Sequence, residues 1–80
     1  MPKIATLDGV IIMVFGREHG RPHFHAKYAE HVVVIAIDAA LDVLAGELPR
    51  PQMRKVLQWA PDHLAELQAK WDELNGEDDQ

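Results

Sequence analysis

The 80-residue sequence contains no cysteine, which excludes disulfide bonds and thiolate metal sites. A domain of this size buries only about 60% of the surface that its unfolded chain exposes. Its stability must therefore come from close packing or from association with another chain. Long apolar segments are also missing, because residues 10–15 and 32–37 are the longest ones and a membrane-spanning helix needs about 20 apolar residues. Residues 1–4 do not resemble the start of a signal peptide, so the sequence predicts a cytoplasmic protein with no membrane partner.

Basic residues are scarce in the C-terminal part of the chain. Seven acidic residues and one lysine lie between residues 60 and 80, and the formal net charge of the whole chain is -5. This charge disfavours a nucleic-acid partner for the chain as a whole. Acids and bases nearly balance in residues 1–59, so RNA stays open as a partner of that part.

Three segments in the first half of the chain have the patterns of β-strands. Residues 10–15 and 32–37 are rich in β-branched side chains and have the length of buried strands. Between them apolar and polar side chains alternate, which is typical of a strand with two different faces. In that strand Phe24, Ala26 and Tyr28 are expected to point inward, and His23, His25 and Lys27 toward solvent. We expect a hairpin turn near Glu30, although the glycine or asparagine that tight hairpin turns favour is missing there; residues 41–45 form either a short edge strand or a loop.

The second half of the chain has the period of an amphipathic helix. Apolar side chains recur every three or four residues at Met53, Val56, Leu57, Ala60, Leu64, Leu67, Trp71 and Leu74. Pro61 interrupts this stripe, and a proline inside a helix costs about 3 kcal/mol. The sequence therefore predicts an α+β fold: a small antiparallel sheet of three to four strands, followed by one kinked helix or two consecutive helices packed on one face. We expect a single domain over residues 1–76 and a disordered acidic tail over residues 77–80.

Several short motifs resemble a known family in their order and spacing. They are Pro22-His23-Phe24-His25, Tyr28, Asp38, Val43-Leu44, Gly46-Glu47-Leu48-Pro49-Arg50, Trp59-Ala60, His63, Glu66-Leu67 and Trp71. Over residues 1–71 the chain resembles the small bacterial PHFH-containing family called domain of unknown function 4160, whose activity is not settled. The resemblance implies a gene that lies beside a second small gene, as in toxin–antitoxin-like pairs. Arg21 and Ala29 depart from the family pattern, which commonly has proline and glycine at these places.

The histidines of this segment suggest a metal site as one hypothesis. Residues two apart on a strand point the same way, so His23 and His25 could bind one divalent metal such as zinc, with His19 as a third ligand. Three basic side chains nearby oppose the binding of a cation.

A metal-independent ribonuclease-type toxin is a second hypothesis. Here His23 and His25 act as the acid–base pair, because imidazole titrates near neutral pH. Arg21 and Lys27 would supply positive charge to the phosphate as negative charge develops on it.

The sequence favours a third hypothesis, a protein-binding component without catalytic activity or cofactor. The histidines then pack and form hydrogen bonds, and a surface elsewhere binds a small cognate protein encoded nearby. The expected partner-binding residues are His19, Tyr28, Trp59 and Trp71; a homodimer is the alternative assembly.

Overall fold

The computed structural model describes residues 3–17 and 20–75. Five strands come first: β1 (Lys3–Leu7), β2 (Val10–Met13), β3 (His23–Tyr28), β4 (His31–Ala36) and β5 (Val43–Gly46). They form one sheet in the order β1-β2-β3-β4-β5, in which each strand runs antiparallel to its neighbours. The α+β prediction is confirmed. The expected number of three to four strands is wrong, because the sheet has five.

A helical segment follows the sheet. It consists of α1 (Arg50–Trp59), a 3₁₀ turn (Ala60–His63) and α2 (Leu64–Asn75). Ala60 and Leu64 keep right-handed helical angles, so the chain continues through the turn as one interrupted helix. Pro61 lies in the first turn of the 3₁₀ segment, where its missing N–H removes the least hydrogen bonding. No helix in residues 3–17 and 20–75 has the length and apolar character needed to cross a membrane.

The strand absent from the sequence prediction is β1, and the turn that follows it explains how it forms. Leu7 pairs with Val10, and the two loop residues between them, Asp8 and Gly9, have φ values of 48° and 88°. Two positive φ angles in a two-residue loop are typical of a type I′ turn, for which Asp-Gly is among the strongest sequence signals. The dipeptide therefore indicated a hairpin, whereas the weak apolar pattern of Lys3–Leu7 did not.

The hairpin predicted near Glu30 is present. Tyr28 pairs with His31, and Ala29 and Glu30 form the loop between β3 and β4. Ala29 has a φ of 54°, a left-handed conformation that costs an L-residue roughly 1–2 kcal/mol. Within the predicted segment 41–45, the edge-strand alternative is the observed one, since β5 pairs with β4 at the margin of the sheet.

One face of the sheet carries the hydrophobic core. Ile12, Ala26 and Val33 are in register across β2, β3 and β4 and are fully buried. The buried apolar residues of the helical segment join the same cluster: Val56, Ala60, Leu67 and Trp71. Because successive residues of a strand point to opposite faces, the neighbours of these core residues lie on the other face. The predicted acidic tail, residues 77–80, lies outside the described residues.

Candidate functional site

The two histidines of the PHFH motif lie on the same face of β3. Their ring centroids are 5.5 Å apart, and Phe24 between them is fully buried in the core on the opposite face. The expected alternation is therefore present, but the expected exposure is not. His23 is only 9% exposed, and His25 is half-buried.

Aromatic rings from two other parts of the chain explain this burial. The indole of Trp71 in α2 lies 4.9 Å from the His23 ring, and the Phe15 ring lies 4.8 Å from the His25 ring in an edge-to-face arrangement. We call Phe15, His23, His25 and Trp71 the ring cluster. Asn75 fixes the end of α2 beside it, because its side-chain amide donates to the Phe15 carbonyl oxygen at 3.1 Å. The ring cluster thus connects the last helix to the ends of β2 and β3.

The hydrogen bond of His23 determines which ring nitrogen carries a proton. Nδ1 lies 2.7 Å from the carbonyl oxygen of Arg21, and a carbonyl oxygen can only accept, so Nδ1–H donates. Proton transfer to a substrate would then have to use Nε2 of a ring that packs against Trp71. This arrangement suits a structural histidine better than an acid–base catalyst.

Arg21, the expected phosphate ligand, is held by two carboxylates. Its Nη2 lies 2.6 Å from Asp38 Oδ2 and 3.3 Å from Asp42 Oδ2. The hydrogen bond to Asp38 is the main cause that raises the pKa of Arg21, and the same bond lowers the pKa of Asp38. Asp38 also accepts hydrogen bonds from the backbone N–H groups of Ala40 and Leu41. The positive charge of Arg21 is therefore compensated locally, and the residue connects the start of β3 to the loop after β4.

Lys27 lies exposed on the same face as His25, on the side of β3 opposite the core residues Phe24 and Ala26. Two rows of paired residues cross this face: Ile11, Lys27 and Val32 form one row, and Met13, His25 and Val34 form the other. We call these six residues the open sheet face. Val32 is 38% exposed, and Ile11, Met13 and Val34 are half-buried. The ring cluster closes one end of this face through the contact between Phe15 and His25.

The open sheet face is the feature that the sequence pattern did not reveal. Continuous apolar segments such as 10–15 and 32–37 are typical of strands that are buried on both faces. Only the register shows that Ile11 and Met13 lie opposite the residues of β3 that point away from the core. The alternation in β3 could have predicted this face. A central strand with one polar side implies that its neighbours β2 and β4 also expose side chains on that side.

Three of the expected partner-binding residues, Tyr28, Trp59 and Trp71, lie on β3, α1 and α2. Trp71 is 8% exposed and belongs to the ring cluster, and Tyr28 is half-buried against the core. Trp59 stacks on the His63 ring with centroids 4.2 Å apart, and His63 Nδ1–H donates to the Trp59 carbonyl oxygen. His19 lies outside the described residues.

The predicted metal site depends on His19 and stays a prediction. Within residues 3–17 and 20–75, no three His, Asp or Glu side chains are placed to share one ion. His23 and His25 are adjacent, and two imidazoles alone leave half of a tetrahedral zinc site without ligands.

Comparison with known proteins assigns the chain to a family. The family model described as Domain of unknown function (DUF4160) matches residues 9–72. No curated protein and no solved structure matches the chain. The matched segment includes the strands from β2 to β5, the PHFH motif and Trp71. The order of motifs and the extent of this match show that the chain belongs to the DUF4160 family.

Proposed function

We propose that this chain is a cytoplasmic bacterial protein-binding domain, one component of a toxin–antitoxin-like two-gene module, and that it binds the small protein encoded beside it. The open sheet face is the observation that carries this proposal. Apolar side chains from β2 and β4 flank β3 there, and none of them belongs to the buried core cluster. Val32 is exposed and the other three apolar residues are half-buried, and apolar surface that a small domain leaves accessible is a common mark of a protein-binding site.

The state of the basic and imidazole groups favours binding over catalysis. His23 is buried and its Nδ1–H is bonded to a backbone carbonyl. Arg21 is paired with Asp38 and Asp42. Of the four expected catalytic residues, Lys27 is thus the cation that is exposed on the sheet, and a single cation is little charge for stabilising a phosphorane.

Co-expression with the adjacent gene tests the proposal. The chain carries an affinity tag, and the protein encoded beside it is expected to co-purify in stoichiometric amount. Val32→Glu should lower the affinity about tenfold or more, because it removes an apolar contact and places a carboxylate beside Lys27, its cross-strand neighbour. Leu57→Glu is the matched control, since Leu57 is 37% exposed, as Val32 is 38% exposed, but lies on α1.

Failure to capture the neighbouring protein would contradict the proposed partner. Equal losses from Val32→Glu and Leu57→Glu would contradict the open sheet face as the binding surface. Thermal unfolding of both variants shows whether either loss comes from unfolding.

A metal-independent ribonuclease is the second candidate function. Its support is the 5.5 Å separation of the His23 and His25 rings on one face of β3, beside Lys27. Purified protein is incubated with labelled RNA in the presence of a chelator, next to His25→Ala and a His23→Ala, His25→Ala double variant. If the wild type cleaves the RNA and neither variant does, a ribonuclease function replaces the proposed binding function. Equal cleavage by all three proteins would identify a contaminating nuclease.

A further inference from the structure

The apolar and basic residues of the open sheet face lie in separate columns along the strands. β2 contributes an apolar column, Ile11 and Met13, and β4 contributes a second one, Val32 and Val34. The basic column of His25 and Lys27 on β3 lies between them. Neighbouring strands are about 4.8 Å apart, so the apolar columns are separated by roughly 10 Å. This separation equals the diameter of an α-helix with its side chains.

The charge of this face is opposite to that of the chain. The chain has a net charge of -5, whereas two of the six residues of the open sheet face are basic in type and none is acidic. At the margins of the face, Lys3 pairs with Met13 and adds a positive charge, and Glu47, whose N–H donates to the Val32 carbonyl oxygen, adds a negative one. The positive charge at the centre of the face is that of Lys27, which favours acidic side chains of a partner at this place.

A second copy of the chain fits the face poorly. In a two-fold assembly the same patch contacts itself, so two open sheet faces would place Lys27 near its own counterpart. Like charges at an interface disfavour the assembly.

An RNA strand also fits poorly. Proteins bind single strands by stacking bases on aromatic side chains along a basic groove. The flanks of the basic column are aliphatic, and the nearby Phe15 ring is in contact with His25. Aliphatic flanks match the apolar side chains of a protein.

We propose that the open sheet face binds an amphipathic helix of the partner protein. Acidic residues along the centre of that helix contact Lys27 and His25, and apolar residues on its two sides cover the columns of β2 and β4. This inference rests on the proposed protein-binding function and specifies the chemistry of the partner.

Two synthetic peptides test the inference. Each forms about five helical turns; the first has a stripe of Glu flanked by Leu, and the second is identical except for Lys in place of Glu. Fluorescence anisotropy measures their affinities, and amide NMR shifts locate the bound peptide. The Glu peptide should bind about tenfold more tightly than the Lys peptide and shift residues of β2, β3 and β4 on the open sheet face.

Charge reversal of the protein provides the matched control. Lys27→Glu should lower the affinity for the Glu peptide and raise that for the Lys peptide. Arg54→Glu makes the same change of charge at an exposed residue of α1 and should leave the preference for the Glu peptide intact. Both exposed substitutions are checked for an unchanged unfolding midpoint.

Equal affinities of the two peptides, absence of binding, or shifts confined to the helical segment would overturn the inference. If the Glu peptide does not bind but an RNA oligonucleotide shifts the NMR signals of the open sheet face, the inference is overturned in favour of an RNA partner. If increasing protein concentration shifts those signals instead, the inference is overturned in favour of a homodimer. Capture of the neighbouring protein is a separate experiment. If the neighbouring protein is captured but the Glu peptide does not bind, the protein-binding function is supported and the acidic-helix inference is contradicted. If the Glu peptide binds but the neighbouring protein is not captured, only the two-gene role is contradicted.

Discussion

The β3–β4 hairpin turns through Ala29, and this residue has a left-handed backbone conformation beside the open sheet face. Its φ of 54° places the backbone in the left-handed region, where the Cβ atom crowds the following carbonyl oxygen at a cost of roughly 1–2 kcal/mol. Glycine removes this cost. It also makes the unfolded chain more flexible, which costs about 0.5–1 kcal/mol. The relief is the larger effect, so Ala29→Gly should raise the free energy of unfolding by about 0.5–1 kcal/mol.

Urea unfolding measures this difference. With a slope near 1 kcal/mol per molar urea for a domain of this size, the midpoint should rise by about 0.5–1 M at an unchanged slope. Glu30→Gly is the control, because Glu30 is the other loop residue and does not have a positive φ. That variant should lose about 0.5–1 kcal/mol. A lower midpoint for Ala29→Gly, or equal shifts in both variants, would refute the assignment of strain to Ala29.

Three further substitutions test the fold around the site. Gly46 has a φ of 75°, and an added Cβ would collide with the Val32 carbonyl oxygen, so Gly46→Ala should lower the free energy of unfolding by at least about 2 kcal/mol in urea titration. Trp71→Ala should cost about 3–5 kcal/mol and shift the ring proton signals of His23 in NMR spectra; unchanged signals would contradict the ring cluster. The hydrogen bond from Arg21 lowers the pKa of Asp38 below its ordinary value of 3.8, so its stabilising effect is complete above that pH and is lost as the pH falls below it. Asp38→Asn should therefore be less stable than the wild type at pH 7, and the difference should shrink below pH 3.8; a difference that grows on acidification would contradict the pairing.

The sequence predicted those parts of the fold that depend on local pattern. The alternation around Phe24 correctly placed the two histidines of the motif on one face, and the apolar stripe correctly predicted helix on both sides of Pro61. β1 escaped prediction because an edge strand with one weakly apolar face has little periodic signal. The Asp8-Gly9 turn carried the information instead.

The environment of the site depended on long-range contacts that no local pattern encodes. Trp71 lies 48 positions after His23 in the sequence, and only the docking of α2 brings the two rings to 4.9 Å. The same holds for Arg21, whose pairing with Asp38 and Asp42 requires the path of the loop after β4. The burial of His23 and the pairing of Arg21 with two carboxylates reduce the support for catalysis, although the residue types alone permitted it.

Methyl NMR of the complex with the neighbouring protein tests the central claim most directly. Adjacent residues in β2 and β4 point to opposite faces: Ile11, Met13, Val32 and Val34 lie on the open sheet face, whereas Val10, Ile12 and Val33 lie in the core. Binding at the open sheet face predicts large shifts of the first set of methyl groups and small shifts of the second. Unshifted methyl groups of Ile11, Met13, Val32 and Val34 in a stable complex would show that the partner binds elsewhere.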